Sequence, residues 1–507
     1  MSTKNRILFG FILIKIIFHY FLIDPGYDLH RDEYLHLDQG KHLDWGYMSL
    51  PPLTSFFSYI ILILGNGTLW VKFFPAVFGA LTILVVWKTI EALKGNLFAL
   101  ILGATSILFS AILRLNILYQ PNSFDILAWT TFYFAIVKYI QSEHSKWLYF
   151  SAVIFAIGFL NKYNVVFLIL GLLPALLLTT HRTLFLKKHF YFSMALALVI
   201  ISPNLIWQYK NDFPVFHHLN ELAKTQLENV NRGDFLKAQV LFFFGSLFVL
   251  LAAFISFFSY QPFKKYVVFF WSFVFTLFIF VYFKAKGYYA VGLYPILIAF
   301  GSTYIGELLN EKWKLYVRPV ALLLPLVLFL PFLKVVFPIN SPEVIQQKIE
   351  SYKKLGMLRW EDGKEHNLPQ DFADMLGWKE LAHKVDSAYY TSPEGTLVLC
   401  DNYGQAGAIN YYSKIPGMQA VSFNADYINW FPLDAQIKNI ILIKESKNAE
   451  IDKKKKSEQF DLVLKFDAVT HPYAREYGTT IFLLKNAKTD INSLLKKAIA
   501  EEKKDHN

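Results

Sequence analysis

The chain has 507 residues, 54% of them hydrophobic and 18% aromatic, with a net charge of +11 and one cysteine. Soluble domains rarely sustain that apolar content, and the apolar residues fall in blocks of about 18–23, the length that crosses a hydrocarbon core. Cys400 alone excludes an intrachain disulfide. Residues 339–507 hold 23 Lys+Arg against 24 Asp+Glu, so the basic excess sits on the loops of the apolar part and a nucleic-acid footprint is excluded.

In chain order, apolar blocks near 7–23, 70–90, 96–113, 122–141, 147–160, 164–180, 189–207, 236–258, 266–283, 288–308 and 318–338 read as spans. They predict a polytopic α-helical membrane protein of about 11 transmembrane helices over residues 1–338, followed by a soluble α/β domain over 339–507. The first block has no small-residue cleavage site after it and reads as a retained span. With Lys4 and Arg6 inside, the basic inner loops place the loops 24–69 and 208–235, and the whole tail, outside the cytoplasm. No internal repeat is visible, which weighs against a transporter built from two homologous halves.

Ionisable residues beside or within spans are costly, so each is a functional candidate. The first loop carries "DLHRDEYLHLDQGKHLDWGYMSLPPL" (28–53). On a helix, Asp32 and Glu33 share a face with His36, a spacing suited to acid–base work, to part of a divalent metal site, or to a solvated amphipathic face. "RLNILYQPNSFDILAW" (114–129) puts Asp125 just inside a span, with Asn122 and Ser123 explained as helix caps. "GFLNKYNVVFL" (158–168) places Lys162 at a break between apolar blocks, to snorkel or to hold a lipid phosphate. "SPNLIWQYKNDFPVFHHLNEL" (202–222) suits either a sugar pocket or the membrane interface. "FKAKGYYAVGLYP" (283–295) pairs Lys284 and Lys286 with Tyr288 and Tyr289, which suits anionic headgroups. Together these suit a reaction with a lipid phosphate as leaving group: a carboxylate deprotonates an acceptor hydroxyl and cations stabilise the departing phosphate. A transporter or flippase of an anionic lipid-linked sugar would use the same lysines and need no base.

In the tail, "TLVLCD" (396–401), "NIILIK" (439–444), "DLVLKF" (461–466) and "TIFLLK" (480–485) read as strands. Gly404 and Gly407 read as a strand-to-helix connection ahead of an anion-binding turn, and "DKKKKSEQ" (452–459) as a solvated loop.

"RDEYLHLDQGKHLDWGYMSLPPL" resembles the first-loop signature of GT-C glycosyltransferases related to the protein O-mannosyltransferases and the lipid A aminoarabinose transferases. The resemblance continues through "YQPNSFDILAW", "GFLNKYNVVFLILGL", "SPNLIWQYKNDFP", "KAKGYYAVGLYP", "LPQDFADMLGWKELA" and "DNYGQAGAINYYSKIPG", and so covers nearly the whole chain. It implies an integral enzyme of the bacterial inner membrane, surrounded by membrane lipids, with its site on the extracytoplasmic side. The implied donor is a polyprenyl-phosphate-linked sugar, transferred with inversion to a glycolipid, lipid A, polysaccharide or protein acceptor. By position, Asp32 matches the catalytic base and Glu33 completes the acidic pair. Lys162 matches a lysine on the donor phosphate, Asp125 an acid near the site, and Tyr47 an aromatic before Pro51-Pro52. Many relatives carry an acid just before that proline pair, where this chain has Ser49 and Leu50. The aminoarabinose branch has an arginine where this chain has Leu35 and His36, so aminoarabinose is not supported as the sugar. Asp44 or His36 is left as a substitute for the missing acid, and a divalent cation stays open.

Overall fold

The computed structural model describes every residue except Met1, Gln226, Pro393, 449–452 and 506–507. Its first part runs through α1 (Thr3–Phe21), α2 (Arg31–Gln39), α3 (Leu53–Ile63), α4 (Thr68–Ala92), α5 (Leu97–Leu108), α6 (Ala111–Leu115), α7 (Asn122–Ser142) and α8 (Lys146–Asn161). It continues through α9 (Val165–Leu177), α10 (Lys188–Lys210), α11 (Pro214–Thr225), α12 (Arg232–Phe242), α13 (Leu247–Ser259), α14 (Val267–Tyr282), α15 (Tyr294–Leu308) and α16 (Arg318–Val336). A 3-10 segment, Gly287–Leu293, precedes α15. One core joins most of these helices, with Trp87, Trp129, Phe269 and Phe300 fully buried among leucines, isoleucines and small residues; α2 and α3 pack in another cluster.

Every apolar block of the sequence coincides with a helix, but the helices are unequal. Among the described residues five are long and apolar enough to cross a membrane: Thr68–Ala92, Lys188–Lys210, Gln261–Tyr282, Gly287–Leu308 and Lys312–Val336. Two bent pairs, at 108° after α9 and 63° after α12, bring the number to seven if each is one span. The other blocks lie on helices that are too short, such as α5 with 12 residues, or too polar, such as α1 with Lys15 and His19. An apolar run therefore locates a helix here without proving that it crosses the bilayer alone.

The tail contains α17 (Pro342–Gln346), α18 (Ile349–Lys354), α19 (Gln370–Ala373), α20 (Trp378–Tyr389), β1 (Thr396–Cys400), α21 (Tyr403–Tyr412) and β2 (Ala420–Ser422). It ends with β3 (Asn439–Lys444), α22 (Lys453–Gln459), β4 (Phe460–Ala468), β5 (Thr480–Ala487) and α23 (Ile491–Asp505). The sheet order is β2-β1-β3-β5-β4, parallel through the first three strands and antiparallel at β5. Alternation along the strands divides its two faces. Val398, Cys400, Ile441, Ile443, Ile481 and Leu483 meet α20 and α21, whereas Leu397, Leu442, Phe482 and Leu484 meet α23. The four strand-like runs are β1, β3, β4 and β5; β2, three residues long, carries too short a pattern to read. Lys453–Gln459 is a helix where a loop was expected, since Lys, Glu and Gln are good helix formers; Asp452 lies outside the described residues.

The first loop and the tail share one hydrophobic cluster, in which Leu29, Tyr34, Leu35 and Leu37 pack with Trp378, Leu381, Ala406, Ile409 and Tyr427. Buried carboxylates fix the register of that contact. Asp28 Oδ2 accepts from the N–H groups of Trp378 and Lys379 at 3.0 and 3.2 Å, capping the start of α20 from another part of the chain. Asp38 Oδ2 accepts from Asn410 Nδ2 at 2.7 Å and the Tyr427 hydroxyl at 2.8 Å. In return Asp426 accepts from Gln39 Nε2 and the Met48 N–H, both at 2.8 Å.

Gly407 explains why α21 carries a glycine at that point. A Cβ there would lie 2.6 Å from the Tyr427 hydroxyl and 2.7 Å from Tyr34 Cβ, so its absence lets α21 sit against α2. Overpacking of this kind costs about 1–3 kcal/mol. Gly407→Val is expected to loosen the tail from the loop, seen as faster cleavage of residues beyond 339 in limited proteolysis while the helical part stays intact.

Candidate active site

Helix α2 begins where it does because its first turn is capped reciprocally. His30 Nδ1 accepts from the Asp32 N–H, and Glu33 Oε2 accepts from the His30 N–H at 2.6 Å. The other Glu33 oxygen accepts from the Tyr119 N–H, also at 2.6 Å. Glu33 is 2% exposed, and burial pushes its carboxyl above the usual range although both N–H donors oppose the shift. Its carboxylate thus ties the α2 start to the segment before α7.

Asp32 differs from its neighbour in every respect that matters for chemistry. Its side chain is 35% exposed. Oδ1 accepts from the Tyr403 hydroxyl at 2.7 Å and Oδ2 from Gln120 Nε2 at 3.0 Å. Burial alone would raise its pKa; the charges of His30 and Arg31 and the Tyr403 hydroxyl outweigh it and hold the carboxyl at about 2.

From Asp32 the hydrogen bonds continue without a gap. Asn122 Nδ2 donates to Gln120 Oε1 at 2.9 Å, and Lys162 Nζ donates to Asn122 Oδ1 at 2.6 Å. Asn122 is therefore not the helix cap expected of it: Pro121 holds the cap position, without a side-chain cap bond, while Ser123 Oγ donates to the Leu115 carbonyl. Lys162 follows α8 and lies 4.5 Å from the Tyr289 ring centroid and 5.2 Å from that of Tyr288. Burial lowers its ammonium to about 8, with Asp125 opposing. Lys286 Nζ pairs with Glu361 Oε1 at 2.5 Å. Burial opposes the charge of Lys286, but Glu361, Tyr289 and Asp32 hold the ammonium above its usual range.

The remaining candidates fall outside this line. Asp125, 5% exposed, accepts from Trp129 Nε1 at 2.9 Å and Asn164 Nδ2 at 3.0 Å, so neutral donors answer its burial and bind α7 to the start of α9. The Tyr47 hydroxyl is turned inside its own loop, 3.1 Å from the Gln39 carbonyl and 3.0 Å from that of His42. His36 is buried against Gln39 Oε1, and burial lowers its pKa. Asp44 is exposed and accepts from the Trp45 N–H. Lys284, in a left-handed turn with φ 53°, has no side-chain hydrogen bond or ion pair to Asp32, Lys162 or Lys286. Among the described residues no three His, Cys, Asp or Glu side chains are grouped to hold a metal ion. The 202–222 stretch buttresses the first loop: Asn204 Nδ2 donates to the Trp45 carbonyl, and the Trp207 ring lies against Gly46. Gln120 and Tyr403 were not singled out from sequence, although both lie inside quoted motifs; Tyr289 was, and it lies against Lys162.

The fold and this arrangement define a helical membrane protein with a carboxylate and a cluster of lysines and tyrosines at one site. Residues 49–207 match the family model described as dolichyl-phosphate-mannose-protein mannosyltransferase. A lipid A galacturonosyltransferase, RgtD of Rhizobium johnstonii, is 24% identical over 249 residues, 47% of this chain; the chain spans about half the length of that curated relative, 51%. ArnT of Cupriavidus metallidurans bound to undecaprenyl phosphate superposes with a TM-score of 0.62 at 12% identity, covering 95% of this chain and 98% of that one. Its apo form gives a TM-score of 0.61 at 12% identity, over 97% and 99%. The chain is thus similar over part of its length to a protein mannosyltransferase family model and to a lipid A transferase, and it shares the GT-C fold of ArnT.

A buried donor left without an acceptor costs about 1–3 kcal/mol. Glu33→Ala strips the acceptor from the His30 and Tyr119 N–H groups together. It is expected to lower the unfolding temperature of the detergent-purified protein, and Glu33→Gln, which keeps one carbonyl oxygen, is expected to lower it less.

Proposed function

We propose that the protein transfers a sugar from a polyprenyl-phosphate-linked donor to a cell-envelope acceptor by a single inverting displacement. The observation that carries this reading is the one-third-exposed, ionised Asp32 joined through Gln120 and Asn122 to the Lys162 ammonium. Asp32 takes the proton of the acceptor hydroxyl while the acceptor oxygen attacks the anomeric carbon. The bond from that carbon to the phosphate oxygen breaks, and the charge left on the phosphate falls to Lys162 and Lys286, with Tyr288 beside them. Glu33 orients the base by fixing the first turn of α2. Lys284 and Asp125 act at the edge of the donor site, and Tyr47, His36 and Asp44 shape the loop over it.

The relatives support the two substrate classes in different ways. RgtD is named for lipid A, which favours a lipid acceptor of that class over a protein, and one ArnT structure holds undecaprenyl phosphate, which supports a polyprenyl-phosphate donor. The scheme includes eleven membrane segments, a catalytic part over 1–338 and a tail domain over 339–507. It places the site and tail on the extracytoplasmic side of a bacterial inner membrane.

The test is release of free polyprenyl phosphate from a labelled donor by the purified protein. Release that depends on an acceptor is expected; absence of release under every condition would favour transport of the lipid-linked sugar instead. Asp32→Asn is expected to lower transfer by about 10²–10⁴-fold, the range for a general base, with normal amounts of folded protein in the membrane. Full activity in that variant sinks the assignment. The pH profile of kcat/KM follows from the two charges. The Asp32 carboxyl, held at about 2, is ionised throughout the working range, so its own protonation gives no acid limb above about pH 3. Lys162 loses its proton as pH rises through about 8, so activity falls on the alkaline side. Lys162→Met is expected to remove that alkaline limb together with most of the rate.

A further inference from the structure

The residue that holds the exposed carboxylate most closely does not come from the membrane part at all. Tyr403 is the first residue of α21, and its hydroxyl donates to Asp32 Oδ1 at 2.7 Å across 371 positions of sequence. We infer that Tyr403 is a positioning residue for the catalytic base, so that the tail completes the active site and is not a separable module. This rests on the reading of Asp32 as the base.

Three observations support the inference. First, Tyr403 is itself held firmly. Asn402 caps α21 by accepting from the Gln405 N–H at 3.0 Å, and its Nδ2 donates to Glu445 at 2.9 Å and Glu476 at 3.1 Å. Gln405 Nε2 adds a 2.6 Å bond to the other Glu476 oxygen. The Arg31 guanidinium lies 4.4 Å from the Tyr403 ring centroid, so the ring is clamped by the residue next to Asp32.

Second, the geometry divides the work. Tyr403 takes Oδ1 and Gln120 takes Oδ2, which fixes the plane of the carboxylate while leaving each oxygen a free lone pair for the acceptor hydroxyl. A base held in one plane loses less freedom on reaching the transition state than one that swings. Third, Tyr403 is a neutral donor throughout the working range, because burial pushes its hydroxyl well above the usual value. Losing its hydroxyl leaves His30, Arg31, His36, Lys286 and Tyr288 as charged or titratable groups facing Asp32.

Tyr403→Phe keeps the ring under Arg31 and removes only the hydroxyl. In the full-length protein we expect kcat for transfer to fall about tenfold, within the range a general base supplies, with the donor KM within about twofold of wild type. Because the Asp32 carboxyl starts from about 2, the pH profile stays flat on the acid side, and the fall in kcat at a nearly constant KM is the readout. The double variant Asp32→Asn/Tyr403→Phe should be no slower than Asp32→Asn alone, because the hydroxyl acts only through the carboxylate. Unchanged kcat in Tyr403→Phe, alongside an inactive Asp32→Asn, overturns the positioning role and leaves the base standing. An active Asp32→Asn removes the base and this role with it. If Tyr403→Phe fails to fold, 3-fluorotyrosine at position 403 keeps the shape and strengthens the donor. An unchanged kcat there also overturns the inference.

Discussion

The structure depends on how a mostly apolar chain meets the needs of carboxylates taken out of water. A buried carboxylate is stable only where donors replace its hydration, and donors on a distant stretch of chain make the replacement long-range. Asp28 and Asp38 in the first loop find theirs on α20, on Asn410 of α21 and on Tyr427, and Asp426 in the tail finds its own on Gln39 and Met48. These reciprocal demands fix where the loop lies against the tail, and the apolar cluster beneath supplies the area. Once that contact is set, α2 is held in place, and Asp32, the acid of its first turn that stays partly exposed, faces solvent.

Charge at the site follows the same logic with opposite outcomes. Asp32 and Glu33 are adjacent, yet cations and a hydroxyl hold the first well down while burial moves the second up. Lys162 and Lys286 diverge likewise, the former softened by burial and the latter held charged by Glu361. Two residue types, each in two environments, give four distinct behaviours. Environment, more than identity, assigns the roles proposed for them.

Much of this was legible in sequence where the signal is local. Apolar blocks marked the helices, alternating runs marked four of five strands, and the order of motifs marked the GT-C relationship. Span number was less legible, because length along the sequence does not disclose a bend such as the 108° turn after α9. Within the first loop, the spacing of Asp32 and Glu33 was readable, but the burial that separates them was not. Asp28 and Asp38 were given no role from sequence; the tail donors that hold them lie more than 300 positions away, and nothing in the local pattern points to them. Asn122 was misjudged for a related reason. A polar residue at a helix start is usually a cap, and only the folded chain brings Lys162 to its side chain.

The line from Asp32 to Lys162 has one more consequence, set by the chemistry of its two links. Gln120 and Asn122 are amides, which donate and accept hydrogen bonds but do not ionise in water at any pH the protein meets. They join the two ends mechanically and insulate them electrically. In the proposed reaction a proton arriving at the carboxylate therefore has no internal wire to the phosphate. It leaves through the third of Asp32 that faces solvent, so each turnover discharges its acid to the bulk and its anion to the lipid by separate exits.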